Sequence, residues 1–137
     1  MQVHIDRMDH LGNGIGTING KIIFVKGALP GETVDVIITK DKKSYMEGTI
    51  NAFIYKSSKR VEPFCKYFGI CGGCSLCHLS YDDALEYKKE RVKNILSKYD
   101  IPDINVIKND IDLYYRNKIE LKIVGGKLGF YEKRTHN

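Results

Sequence analysis

The sequence predicts a mainly β fold with an α+β tail, in which a small OB-like barrel of five strands precedes a cysteine loop, one helix and a β-hairpin. Short β-branched and apolar runs separated by turn dipeptides predict the barrel. Four cysteines between positions 65 and 77 predict the loop, and apolar residues at helical spacing predict the helix. The length of 137 residues allows one domain or two small ones, which we place at residues 1–60 and 61–137.

Turn signals divide the first part of the chain into five predicted strands. Asn13-Gly14 and Asn19-Gly20 favour turns because Asn and Gly tolerate positive φ, and the second pair is a strong hairpin signal. Further turns are expected at residues 29–31 and 40–43. The strands are expected near residues 3–5, 15–18, 21–25, 33–39 and 45–55. Closing such strands into a barrel removes exposed sheet edges.

The net charge of +5 is concentrated in two segments, residues 36–60 and 112–137, while the rest of the chain is close to neutral. Local basic patches favour a polyanionic partner such as RNA, although a lysine-rich solvated surface explains the charge equally well. The sequence has no apolar run long enough to span a membrane and no amino-terminal signal pattern. We therefore expect a cytoplasmic protein that has no membrane partner.

Basic and aromatic residues near the end of the predicted barrel are candidate RNA contacts, because lysines neutralise phosphates and exposed rings stack on unpaired bases. These candidates are Lys40, Lys42, Lys43, Tyr45, Lys56, Lys59 and Arg60. For Tyr45, as for Phe53 and Tyr55, a place in the core or on the strand surface is the alternative. The alternative for the lysines is that they only keep a hairpin soluble.

The cysteines follow the pattern C-x5-C-G-G-C at Cys65, Cys71 and Cys74, and Cys77 comes three residues later. In a cytosolic chain such a cluster indicates a metal or catalysis before disulfides. Thiolates on a glycine-bearing loop suit an iron–sulfur cluster, and four cysteines would equally suit a structural zinc ion. The run from Cys74 to His78 also matches the c-type haem attachment motif, but covalent haem attachment belongs outside the cytosol. For Cys77 the alternative is a small apolar residue that binds nothing.

A helix is expected over residues 81–98, because Ser80 and Asp83 form a capping-box-like start. An apolar stripe should pack this helix against the rest of the protein, and it consists of Leu85, Val92, Ile95, Leu96 and Tyr99. Residues 114–124 then alternate as a strand, Gly125-Gly126 turns it, and residues 127–131 return. Arg116 and Lys118 would share one face of that strand and suit phosphate contact, or they simply belong to an exposed strand of an incomplete sheet.

Two stretches resemble the TRAM domain, an RNA-binding β-barrel attached to RNA-modifying enzymes. They are residues 9–16 (DHLGNGIG) and residues 24–32 (FVKGALPGE), of which Leu29-Pro30-Gly31-Glu32 is the most characteristic part. Family members often have proline where this chain has Lys26. The resemblance implies an RNA-binding barrel over residues 1–60.

The cysteine pattern, followed by HLSY at 78–81, a charged helix and YRNK at 115–118, resembles the 5-methyluridine RNA methyltransferases. The resemblance implies that Cys65, Cys71 and Cys74 hold a [4Fe–4S] cluster together with a fourth cysteine downstream. In relatives that cysteine follows a Gly-Phe-Tyr…His stretch, which corresponds here to residues 129–136. Cys77 stands where relatives commonly have glutamine. It therefore stays open whether Cys77 replaces the fourth ligand, or whether the site holds zinc or is empty.

The implied function is the RNA-binding and iron–sulfur part of an S-adenosylmethionine-dependent enzyme that methylates carbon 5 of a uridine in 23S rRNA or tRNA. Catalysis and S-adenosylmethionine binding would belong to a C-terminal methyltransferase domain, since no glycine-rich nucleotide loop follows a strand here. We therefore assign no catalytic residue and expect the chain alone to be inactive. The alternatives are a stand-alone TRAM module with a zinc or iron–sulfur knuckle, and an electron-transfer protein built around the cluster.

Overall fold

Five strands close into a barrel in the computed structural model, which describes residues 1–101 and 103–133. The strands are β1 (Gln2–Met8), β2 (Asn13–Ile18), β3 (Lys21–Lys26), β4 (Thr33–Asp41) and β5 (Tyr45–Tyr55). Around the barrel they follow the order β1-β2-β3-β5-β4, with β3 and β5 parallel and the other neighbours antiparallel. The predicted five-stranded barrel is confirmed.

Alternation of side chains along the strands produces the barrel core. Its buried members are Val3, Ile5, Ile18, Ile23, Val25, Ala28, Val34, Val36 and Met46. Gly16 lies where β1 and β2 approach most closely, because a Cβ there would come within 2.2 Å of the His4 carbonyl oxygen. The sequence therefore supplies both the apolar filling and the space that the closure of the barrel requires.

The turn between β1 and β2 differs from the prediction. Asn13 and Gly14 lie inside β2, so the turn expected there is wrong. The chain reverses just before them, where Gly12 has a φ of 80° and the Asp9 carboxylate accepts hydrogen bonds from the N–H groups of Leu11 and Asn13. The aspartate supplies the turn geometry that the Asn-Gly pair was expected to supply. Asn19-Gly20 does form the β2–β3 turn, with positive φ at both residues.

One helix, α1 (Tyr81–Leu96), follows the cysteine loop and begins at Ser80, whose hydroxyl accepts a hydrogen bond from the Asp83 N–H. The predicted packing stripe is wrong for its distal half, because Val92, Ile95 and Tyr99 are exposed. The face that packs on the barrel instead carries Ala84 and Tyr87, in a small apolar cluster with Leu29 and Leu79. Helical spacing identifies an apolar stripe but does not specify what covers it.

The tail forms a short hairpin of β6 (Lys122–Val124) and β7 (Lys127–Gly129) around Gly125-Gly126. The strand predicted over residues 114–124 is therefore wrong for residues 114–121, which are irregular. A strand needs a hydrogen-bonding neighbour, and among the described residues β7 pairs with only three residues of this stretch.

The stretch that the family resemblance assigns to residues 129–136 is described only in part, because residues 134–137, which include His136, lie outside the described residues. No helix in the described part of the chain is long and apolar enough to cross a membrane.

Candidate RNA surface, joint and cysteine segment

The lysine-rich end of β4 and the turn into β5 form the first candidate site. Lys40 lies in β4 with its ammonium 3.1 Å from the Glu47 carboxylate, and this hydrogen bond raises the pKa of Lys40. The Lys42 N–H donates to the Tyr45 carbonyl oxygen at 2.9 Å, which closes the turn. The side chains of Lys42 and Lys43 are exposed. The turn thus places two exposed lysines directly before the start of β5.

Tyr45 is partly exposed at the start of β5, and its neighbour Met46 points into the core. Its ring meets the edge of the Phe24 ring at a centroid distance of 5.9 Å and an angle of 82°. Tyr45 therefore lies on the outer surface of the barrel rather than in the core. Sequence reasoning did not single out Phe24, although alternation along β3 was the signal that could have found it.

The far end of β5 carries the remaining barrel candidates in a different environment. The Lys56 ammonium lies 4.9 Å from the centroid of the Phe53 ring, which packs against the core. The Lys59 ammonium lies 3.1 Å from the Asp83 carboxylate at the start of α1. Tyr55 is exposed. Lys59 thus contributes to the contact between barrel and helix, whereas the side chain of Lys56 is exposed.

A buried ion pair joins the barrel to the chain that follows it. Arg60 donates from Nε and Nη2 to the two carboxylate oxygens of Glu32, at 2.6 and 2.7 Å, and also from Nη2 to the Gly27 carbonyl oxygen. Burial raises the pKa of Glu32, but the hydrogen bonds from Arg60 and from the Leu29 N–H outweigh it, so this pKa lies below its ordinary value. The Arg60 guanidinium is directed into this joint rather than towards solvent.

Backbone hydrogen bonds extend the joint between the barrel and the cysteine segment, together with the apolar cluster of Leu29, Leu79 and Ala84. Ser80 donates its N–H to the Lys59 carbonyl oxygen, and Val61 donates its N–H to the His78 carbonyl oxygen. Sequence reasoning did not find this joint, because no local pattern connects positions 32 and 60. The glutamate of the Leu-Pro-Gly-Glu stretch, followed by an arginine downstream, was the only available signal.

His78 is fully buried beside this joint, and its ring lies 4.9 Å from the ring of Phe68 in the cysteine loop. Neither ring nitrogen has a hydrogen-bond partner among the described residues. Burial, together with the positive charge of Arg60, lowers the pKa of His78 to about 4. The imidazole is therefore neutral and packs behind the cysteine loop.

All four cysteines are free thiols. The Gly73 N–H donates to the Cys71 sulfur at 3.3 Å, as expected for a glycine-bearing thiolate loop. Cys77 lines the same groove as Cys74, and Cys74 and Cys65 are the neighbouring thiols that affect its ionisation. Burial raises the pKa of Cys77 to about 11, with contributions from these two neighbours. The structure thus places Cys77 together with Cys74.

The donor set fits a thiolate-bound metal centre in type but not in arrangement. Four sulfur donors within one segment suit zinc or an iron–sulfur cluster. Within the described ranges, however, no three metal-binding side chains converge closely enough to hold an ion. The sulfur donors that such a centre needs are present. The loop would have to rearrange before three of the thiolates could bind one ion.

Arg116 and Lys118 lie in the irregular segment before β6, and both side chains are exposed. The Lys118 ammonium lies 3.8 Å from the Glu120 carboxylate. Arg116 lines a groove of about 840 Å³ between the cysteine loop, α1 and residues 109–116, and Cys74 and Cys77 line the same groove. Arg116 therefore belongs with the cysteine segment in space.

Known proteins are similar both to the barrel and to the part of the chain that follows it. The model of the TRAM domain matches residues 1–50. An uncharacterized RNA methyltransferase of Caldanaerobacter subterraneus is 42% identical over 98% of this chain and 31% of its own length. The 23S rRNA (uracil(1939)-C(5))-methyltransferase RlmD of Shewanella amazonensis is 37% identical over 94% of this chain and 31% of its own length.

A solved structure gives the same relationship. The tRNA (uracil-54, C5)-methyltransferase of Pyrococcus abyssi, determined in complex with S-adenosyl-L-homocysteine, superposes with a TM-score of 0.60 at 28% identity, over 93% of this chain and 28% of that chain. The chain thus spans about a third of the length of the relatives it matches. The model of the TRAM domain thus covers most of the barrel, and over nearly its whole length the chain is similar to proteins named as uracil-5 RNA methyltransferases.

Proposed function

We propose that the chain is the RNA-binding and metal-binding part of an S-adenosylmethionine-dependent RNA uracil-5 methyltransferase. The observation that carries this proposal is the joining of a closed TRAM barrel, through the buried Glu32–Arg60 pair, to a segment with four free thiols. Relatives named as RNA methyltransferases align over nearly the whole chain, which supports the proposal. Ribosomal and transfer RNA are the candidate partners.

The proposed RNA contacts divide by their surroundings. Lys42, Lys43 and Tyr45 lie exposed or partly exposed at the β4–β5 turn, where a phosphate and a base can reach them. Lys40, Lys56, Arg116 and Lys118 are further exposed cations that we propose as RNA contacts. Lys59 and Arg60 are already engaged by Asp83 and Glu32, so we propose that they hold the barrel in position rather than bind phosphate.

The proposed metal centre is a [4Fe–4S] cluster, with zinc as the alternative, held by Cys65, Cys71 and Cys74. Such a centre would fix the fold of the cysteine loop by linking its thiolates. Cys77 is a possible fourth ligand because it lies beside Cys74. The neutral, buried His78 would pack behind the loop in either case.

Methyl transfer and S-adenosylmethionine binding are proposed for the remaining length of the longer protein. Large apolar side chains are exposed along the distal half of α1 and through residues 101–130, which suits a surface that a further domain covers. We expect the present chain to bind RNA without methylating it. Methyl transfer to a uridine-containing RNA by this chain alone would contradict that division of labour.

RNA binding is tested by fluorescence anisotropy with labelled ribosomal and transfer RNA fragments at several salt concentrations. Replacing Lys42 and Lys43 by alanine should weaken binding and reduce the slope of log K against log salt by about 2, because each phosphate contact contributes about 1. The matched control is Lys98→Ala at the exposed end of the helical region, which should leave the slope unchanged. Equal slopes for all three proteins would contradict the proposed surface.

Metal binding is tested by anaerobic purification followed by iron, sulfide and zinc analysis. Cys65→Ala should lose the metal. Cys77→Ala should retain it if the three ligands of the family pattern suffice, and should lose it if Cys77 is the fourth ligand. A wild-type protein that contains no metal, or a Cys65→Ala variant that keeps it, would overturn the proposed centre, and zinc without iron would remove the electron-transfer alternative.

A further inference from the structure

The outer face of the barrel carries an apolar patch across β2, β3 and β5. Inward positions on β3 are filled by Ile23 and Val25, so Ile22 and Phe24 point outward. The strand register places Ile15 opposite Phe24 and Ile22 opposite Tyr45. Four large side chains from three strands therefore meet on the side of the barrel that faces away from its core.

This patch is accessible from solvent. Ile22 is 40% exposed, and the rings of Phe24 and Tyr45 are partly exposed while they contact each other edge to face at 5.9 Å. Single exposed apolar residues need no explanation, but adjacent ones with two aromatic rings indicate a binding surface. Among the described residues, α1 and the cysteine loop contact the barrel at Asp9, His10, Gly12 and Leu29 rather than at the residues of this patch.

Lysines surround the patch and differ in how far they are neutralised. Lys21 and Lys40 are paired with Asp41 and Glu47. Lys26 follows Phe24 by two residues on the same outward side of β3, and the turn with Lys42 and Lys43 closes against Tyr45. Lys21 and Lys40 are neutralised by their partners. Lys26, Lys42 and Lys43 therefore make the surface around the rings positively charged.

We propose that this face is a platform on which unpaired RNA bases stack, with Phe24 and Tyr45 as the stacking rings and Lys26, Lys42 and Lys43 as the phosphate contacts. The inference rests on the proposed RNA-binding function and specifies its substrate as single-stranded RNA. An aromatic ring can stack only on a base whose face is free, and the bases of an RNA duplex already stack on each other. The charge favours this polyanion over a second copy of the same basic barrel.

The test compares two labelled RNAs, an oligouridylate of about 10 nucleotides and a perfectly paired hairpin, by fluorescence anisotropy. Wild-type protein should bind the oligouridylate more tightly. Tyr45→Leu and Phe24→Leu keep a large apolar side chain but remove the ring, and each should weaken oligouridylate binding about tenfold, because stacking on one base contributes about 1–3 kcal/mol. Tyr45→Phe keeps the ring and should bind nearly as wild type.

The matched control is Tyr55→Leu, which removes a 62% exposed ring from the other end of the same strand and should leave binding unchanged. Thermal unfolding of each variant verifies that the barrel is intact. If wild-type protein binds RNA but both leucine variants bind equally well, the platform is wrong while the proposed function stands. If wild-type protein binds neither RNA, the proposed function fails as well. A shift from dimer to monomer in the leucine variants, measured by sedimentation, would assign the patch to a second copy and overturn the inference.

Discussion

The barrel and the residues after α1 place their apolar side chains in opposite ways. In the barrel, Ile5, Ile23 and Val34 have no exposed surface. After the helix, Ile107 is 95% exposed, Tyr114 99% and Ile123 73%. A closed barrel covers its own core, whereas the second region has apolar surface that none of the described residues covers. The comparison indicates that the barrel carries its own stability, whereas the second region contributes little buried core.

The largest expected effect on stability comes from replacing a buried isoleucine of the barrel by alanine. The same replacement in β6 is the control. Ile23→Ala should lower the free energy of unfolding by about 3 kcal/mol, because it leaves a cavity in a fully buried core. Ile123→Ala, the matched control in β6, should change it by less than about 0.5 kcal/mol because that side chain is already largely in water. Urea titration followed by circular dichroism measures both values. Equal losses would show that the second region packs as tightly as the barrel.

The next effect concerns the joint between the regions. Glu32→Gln should cost about 3 kcal/mol, because it leaves the guanidinium of Arg60 without its countercharge in a largely buried position. The control is Asp35→Asn, which removes a more exposed ion pair with the amino terminus and should cost far less, because water screens an exposed pair. The same urea titration applies. A Glu32→Gln variant as stable as Asp35→Asn would mean that the joint does not stabilise the fold.

The same pair predicts a dependence of stability on pH. Since the pKa of Glu32 is lowered in the folded protein, its contribution is fully present above the ordinary carboxyl pKa of 4.5 and is lost as the pH falls through the lower, folded value. Unfolding free energies measured from pH 6 downward should therefore fall less steeply for Glu32→Gln than for wild type. Parallel curves would assign the acid sensitivity to other carboxylates, such as Asp35 or Asp83, whose pKa values are also lowered.

The same contrast explains what could be predicted from the sequence. The barrel strands follow from local signals, such as the Asn19-Gly20 turn and the alternation around Val34 and Val36, so their positions were predicted closely. The parallel pairing of β3 with β5 and the contact between Glu32 and Arg60 connect residues far apart in the chain, and no local pattern specifies them. The strand expected over residues 114–121 depended on partners that the described chain does not contain.

The candidate site was predictable to a similar extent. The spacing of Cys65, Cys71 and Cys74 identified the thiol segment, because closely spaced cysteines carry their own signal. The closeness of Cys74 and Cys77 in one groove depends on how the loop folds, and the sequence left the role of Cys77 open. The chemical type of a ligand can therefore be inferred from sequence more readily than the set of ligands that meet.

The smallest effect on stability is expected on the exposed stripe of α1. Ile95 is 61% exposed, so Ile95→Lys should change the free energy of unfolding by less than about 0.5 kcal/mol. It should also lower the fluorescence of a dye such as ANS, which binds exposed apolar surface. Ala84→Lys is the control on the opposite, packed face, and it should destabilise strongly because Ala84 lies against Leu29 and Leu79. A costly Ile95→Lys substitution would show that the stripe is covered within this chain. A harmless one would show that the stripe is solvent-exposed apolar surface, as its 61% exposed Ile95 indicates.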